Sequence, residues 1–115
     1  MIVLPFPPSV NGLFRRHNGA HLSAAYKAWR DEAGMKLNRQ QVRHHDGAVT
    51  IRMWMRAPDR RPRDIDNYIK PVIDLLVRHG IIQQDHARVV RGIHADWIDE
   101  GDPRVQVIIL GDGSR

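Results

Sequence analysis

The sequence predicts an α/β (α+β) fold, with a single mixed four-stranded sheet packed against two or three helices in the order β-α-β-α-β-β. Three observations carry that reading. Residues 23–41 and 66–80 repeat apolar side chains at helical spacing. Residues 48–56 alternate clearly, with one greasy face and one basic face. Two further apolar segments lie on either side of Asp99-Glu100-Gly101-Asp102-Pro103, a run of turn formers. A length of 115 residues fits one domain spanning 1–115.

Ile2 to Leu4 reads as a short first strand, stopped by Pro5, Pro7 and Pro8, which cannot donate to a sheet ladder. Ser9 to Leu22 is expected to be a polar loop. It contains Arg15, Arg16 and Asn18-Gly19, a turn pair that argues against a helical zinc site at His17 and His21. Ser23 is a plausible N-cap for a helix whose buried stripe is Tyr26, Trp29, Ala33 and Leu37, ending by about Gln41. His44-His45-Asp46-Gly47 reads as a turn. In Ala48–Arg56, Val49, Ile51, Met53 and Met55 form one face, and Thr50, Arg52, Trp54 and Arg56 the other.

A second helix is expected from Asp66 or Asn67 to Gly80, with Ile69, Val72, Ile73, Leu76 and Val77 buried. Pro71 conflicts with a helix interior, so the helix should start late or bend there. Val89–Trp97 and Arg104–Leu110 are expected to pair as an antiparallel hairpin.

Composition narrows the chemistry. Fifteen arginines and three lysines give a net charge of +5, and arginine's planar fork suits phosphate. With no cysteine, disulfides, thiolate metal sites and cysteine nucleophiles are excluded. Apolar runs are too short for a membrane span. Met1-Ile2-Val3-Leu4-Pro5 has neither the charged start nor the apolar stretch of a secretory signal, so the cytoplasm is the expected location. No glycine-rich phosphate loop follows a strand and no Ser/His/Asp set stands in context, so no nucleotide cofactor is expected.

The richest stretch is Arg60-Arg61-Pro62-Arg63-Asp64-Ile65-Asp66-Asn67-Tyr68-Ile69-Lys70. Arginines there can hold phosphates. Asp64 and Asp66 repel each other unless a cation lies between them, and both can reach one point if the junction is extended. Mg²⁺, which takes hard oxygen ligands, is the natural candidate, and phosphate holders beside it point to phosphodiester chemistry. The plainer reading makes Asp66 a helix cap, Asp64 a salt-bridge partner and Lys70 an ordinary ion-pair partner of Asp66 at i, i+4. Asp74 reads as structural. Asp85 could return beside the helix start, and His86 reads as a loop residue.

These residues resemble the RusA family of Holliday-junction resolvases. The likeness begins at Leu4-Pro5-Phe6-Pro7-Pro8-Ser9-Val10-Asn11, runs through the Tyr26/Trp29 helix, and is strongest at Arg63-Asp64-Ile65-Asp66-Asn67 with Lys70, then Asp85 before Val89-Val90. It implies one RusA-like endonuclease domain of mixed α/β fold that forms a symmetric homodimer. It also implies a three-acid Mg²⁺ site at Asp64, Asp66 and Asp85, an essential Lys70, and a DNA-contacting Arg63. Gln84 stands where family members often carry a second acid, and His86 lengthens the stretch to Val89.

The expected activity is therefore Mg²⁺-dependent, paired cutting of four-way DNA junctions. Arg60 and Arg61 would hold flanking phosphates, with Asn67, Arg15 and Arg16 as further DNA contacts. The competing readings are a nuclease of broader branched-DNA specificity and a non-catalytic DNA-binding protein.

Overall fold

The computed structural model describes the backbone of residues 1–12, 14–16 and 20–111 and the side chains of 1–11 and 23–111. In chain order the elements are β1 (Ile2–Leu4), β2 (Phe14–Arg16), β3 (Ala20–Leu22), α1 (Ala24–Arg39), β4 (Val49–Arg56), α2 (Ile69–Arg78), β5 (Val90–Trp97) and β6 (Arg104–Gly111). Turns of 3-10 helix occupy Val10–Gly12 and Ile65–Tyr68. The main sheet is mixed, four-stranded and ordered β1-β6-β4-β5.

The alternation in β4 decides the layering. Val49, Ile51, Met53 and Met55 are wholly buried, whereas Arg52 on the opposite face is exposed. Tyr26, Trp29, Ala33 and Leu37 of α1 join Val72, Ile73, Leu75 and Leu76 of α2 in the same core. Both helices thus cover one face of the sheet. Ser23 caps α1 as expected, its hydroxyl accepting from the Tyr26 amide at 3.1 Å. The Trp29 indole donates to the Pro5 carbonyl at 2.9 Å and ties α1 to the proline segment.

At the edge strand β1, the Gln40 side chain accepts from the Val3 amide (2.7 Å) and donates to the Val3 carbonyl (2.8 Å). It supplies the bonds that a neighbouring strand would otherwise make.

The α2 helix starts late, at Ile69, so Pro71 falls in its first turn, where its missing amide costs no helical bond. Its other end is a Schellman stop. The Ile81 amide bonds the Leu76 carbonyl at 2.9 Å and the Gly80 amide bonds Val77 at 3.0 Å. Gly80 takes the required left-handed conformation at φ 71°.

Two sequence expectations are corrected. Ser9–Leu22 is not wholly loop, because β2 and β3 pair antiparallel within it, Phe14 opposite Leu22. Strands this short carry too little alternation to stand out in a sequence.

The larger correction concerns β5 and β6, which are not a hairpin. β5 pairs parallel with β4 (Arg52 opposite His94), and β6 pairs antiparallel with the other side of β4 (Arg52 opposite Ile108). β6 carries Val105 and Val107, both fully buried, whereas β5 leaves Ile93 exposed. The more apolar strand takes the interior position and the polar one the edge. Residues 99–103 therefore cross the end of β4. There the Arg104 guanidinium donates to the Asp102 carbonyl (2.7 Å) and the Glu100 carbonyl (3.3 Å), and Arg56 donates to Gly101 (3.2 Å).

Candidate active site

The sheet delivers the chain from the end of β4 through an arginine-bearing loop into the 3-10 turn and α2. Asp64 is extended (φ −90°, ψ 124°) and opens that turn, and Asp66 lies within it. Both are exposed. The helix-capping alternative fails on geometry: Asp64 makes no side-chain cap bond, and Tyr68, not Asp66, occupies the N-cap position of α2. Among the described residues neither carboxylate enters an ion pair. Asn67 is half-buried, and its amide bonds the Asp64 carbonyl at 3.1 Å, which fixes the turn.

Lys70 does not pair with Asp66. The 3-10 winding of 65–68 aligns i with i+3 rather than i+4, which turns Asp66 off the Lys70 face. Its ammonium instead lies 2.8 Å from Asp85 and 2.9 Å from Asp74, with half of the side chain exposed. Asp85 raises the pKa of Lys70 most, followed by Asp74. Reciprocally, the Lys70 hydrogen bond lowers that of Asp85. Asp74, set aside in the sequence reading as structural, is thus half of the cradle that holds Lys70.

Asp85 reaches this point because Ile81 and Ile82 are buried beyond the Schellman stop and return the chain along α2. His86 turns the loop, accepting from the Arg88 amide with Nδ1 at 3.3 Å, while its carbonyl receives the Val89 and Val90 amides. Among the described residues no three acidic or histidine side chains converge on one point. Asp64, Asp66 and Asp85 therefore border the start of α2 without forming one ligand set in this conformation.

The arginines divide by exposure. Arg63 is only 9% exposed along its side chain. It donates to the Asp59 carboxylate at 2.8 Å and lies over the Phe6 ring, 5.8 Å from its centroid. Arg61 is 78% exposed and shares the same carboxylate at 3.2 Å. The Arg63 hydrogen bond is the leading reason that the Asp59 pKa lies far below the usual aspartate range. Asp59 was not singled out in the sequence; its only signal was an acid four residues before Arg63 within an otherwise basic loop. Arg60 is exposed, with no ion pair among the described residues. Arg15 and Arg16 sit on β2 opposite His21 and Ala20, and their side chains lie outside the described residues.

The arginine-bearing loop, paired lysine and exposed acids all fall within residues 5–110, which match the family described as Endodeoxyribonuclease RusA. The chain belongs to the RusA endodeoxyribonuclease family. It is 37% identical over 91 residues to the crossover junction endodeoxyribonuclease RusA of Escherichia coli strain K12, spanning 77% of this chain and 75% of that one. The figures are the same for the enzyme of Enterobacteria phage 82. The Enterobacteria phage HK97 enzyme is 29% identical over 97 residues, 79% of this chain and 81% of that one. RusA membership makes the chain a nuclease and suggests a divalent metal. No helix among the described residues is long and apolar enough to cross a membrane.

Proposed function

We propose that this RusA-family nuclease resolves four-way DNA junctions by paired phosphodiester cuts, acting in the cytoplasm in recombination and repair as one endonuclease domain. The observation that carries this reading is the meeting of Lys70 and Asp85 at the start of α2, directly after Asp64 and Asp66. The donor chemistry fits Mg²⁺, since the three carboxylates are exposed, hard oxygen donors. Asp85 already accepts positive charge, at present that of the Lys70 ammonium. Asp64, Asp66 and Asp85 are the residues that would hold the metal. When bound, Mg²⁺ supplies Lewis-acid neutralisation of phosphate charge and a more acidic water.

The side chains divide the remaining work. Lys70 leaves its carboxylate partners to donate to the phosphate as charge develops in the transition state. Asp74 keeps it within reach. Arg60 and Arg61 take flanking phosphates from the exposed loop before Asp64, contacts that position DNA without reading its sequence. Arg63 acts from beneath by sharing Asp59 with Arg61, and Asn67 holds the turn that presents the two acids. Arg15 and Arg16 extend the contact from β2.

Paired cuts require two sites related by symmetry, which a C2 homodimer provides. The sheet face opposite the helices, bearing Arg52, Trp54 and Leu110, is open for a second copy.

Incubation with a synthetic four-way junction and Mg²⁺, mapping cuts on every strand, tests the proposal. Symmetric paired cuts that vanish in chelator are expected. Equal cutting of flaps and forks would favour a broader branched-DNA nuclease, and binding without any cutting would leave a DNA-binding protein. Light scattering should give twice the monomer mass.

A further inference from the structure

Arg63, the residue before Asp64, lines an open groove of about 600 Å³, within the ~300–1,000 Å³ range of clefts that hold small ligands. Trp97, at the end of β5, forms part of its wall. Trp97 is 37% exposed, so part of its ring is open to solvent. Two other aromatic rings pack against it. The ring stacks on Phe6 at 6.2 Å between centroids and meets Tyr68 edge-on at 6.1 Å, and Phe6 and Tyr68 are 5.0 Å apart. Tyr68 closes the 3-10 turn that carries Asp66, so this aromatic trio links the groove wall to the acid-bearing turn.

The remaining wall is charged. Arg56, Arg60, Arg61 and Arg63 face it, against only Asp59 and Asp99. Asp59 is already bonded to Arg61 and Arg63, and Arg56 donates to backbone carbonyls. Arg60 has no ion-pair partner among the described residues, and Arg61 extends furthest into solvent of the two arginines on Asp59. A flat, supported π-surface beside exposed guanidinium groups matches a nucleotide in two parts: base on ring, phosphate on arginine.

We propose that Trp97 is a stacking platform for one unpaired base next to the scissile phosphate, with Arg60 and Arg61 holding that nucleotide's phosphates. The proposal rests on the nuclease reading above and adds a subsite to it. In an intact duplex the base faces are covered by their neighbours. The subsite is therefore filled only where strands part, as at the branch point of a junction. Stacking strength, not hydrogen bonding, sets its preference, so the subsite tolerates every base.

The test uses the whole protein and four-way junctions in which nucleotides around the mapped cut are replaced one at a time by abasic residues. Binding is measured in EDTA, so that affinity is read without cutting. One abasic position should weaken wild-type binding by about 5- to 150-fold, the range that base–aromatic stacking carries. Trp97→Leu should weaken binding to the intact junction by a similar factor and become indifferent to that position, whereas Trp97→Phe should retain most of the affinity.

Equal sensitivity at every abasic position overturns the proposal. So does a folded Trp97→Leu protein that binds the intact junction as wild type does. Should Trp97→Leu fold poorly, indole emission decides the matter. Quenching on junction binding must be lost in Trp97→Phe, in which Trp29 and Trp54 remain; persistent quenching overturns the platform. Failure of the resolvase reading shows separately, as no junction cleavage with Mg²⁺. The same abasic scan on a single-stranded oligonucleotide then decides the platform alone.

Discussion

Replacing Lys70 with alanine removes one ammonium that two carboxylates share, at 2.8 and 2.9 Å. If those contacts were its whole purpose, the loss would be small. The side chain is half exposed, and exposed ion pairs contribute about 0.2–1 kcal/mol each, so the two together give at most about 2 kcal/mol. A domain starting from even about 5 kcal/mol of stability would remain about 99% folded after that loss. If Lys70 instead donates to the phosphate in the transition state, its removal should slow cleavage by about 10²–10³. Unfolding of about 1% of the protein cannot imitate a hundredfold loss of rate. Single-turnover cleavage of a four-way junction and thermal melting, measured on one preparation of Lys70→Ala, separate the two effects. The expected result is a melting temperature lower by at most about 8 °C and a rate down by about two to three orders of magnitude. A rate matching wild type would refute the argument and leave Lys70 a surface ion-pair partner.

Further expectations follow from the same geometry. Asp64→Asn and Asp66→Asn should each nearly abolish Mg²⁺-dependent cutting while preserving or tightening junction binding. Since neither acid makes a helix-capping bond, stability should change by no more than about 0.5 kcal/mol. Arg60→Ala and Arg61→Ala should each lower the slope of log K against log salt by about 1. Arg63→Ala, by contrast, should lower the melting temperature, because its side chain is only 9% exposed and bonds Asp59 at 2.8 Å. The Asp59 pKa is depressed in the folded state, so its stabilising contribution is complete above the ordinary value of 3.8 and is lost as pH falls through the depressed folded value. Asp59→Asn should accordingly flatten the acid limb of a melting-temperature profile. Gly80→Ala should cost about 1–2 kcal/mol in denaturant titration, purely from the left-handed backbone, since an added Cβ would meet only His44, at 3.6 Å.

Much of this molecule is legible in its residues, and the remainder is hidden for definable reasons. Ser23, the Tyr26–Leu37 stripe, the alternation in β4 and the stop at Gly80 are local patterns, and each appears where its spacing says. Pro71 was informative as a conflict, because it moved the start of α2 to Ile69. The placement of β5 and β6 was not local. Both could reach either edge of β4, and relative apolarity decided between them. The site divides in the same way. That Asp64 and Asp66 stand at a loop–helix junction is visible in the sequence. That Lys70 turns to Asp74 and Asp85 depends on one 3-10 turn and on a loop returning from the far end of α2. Asp59 was concealed by its neighbours, an acid among arginines whose partner choice only a folded loop reveals.

The small strand β1 has a consequence for the order of assembly. Its ladder partner is β6, with Ile2 opposite Val107, and its other edge is satisfied by Gln40 at the end of α1. β1 must therefore wait for a partner synthesised more than a hundred residues later. Contacts of such long sequence separation form slowly. During translation Ile2 and Leu4, both destined for the core, remain without their strand partner until the ribosome has released β6. A protein halted before β6 would expose one edge of β4 together with an unpaired β1.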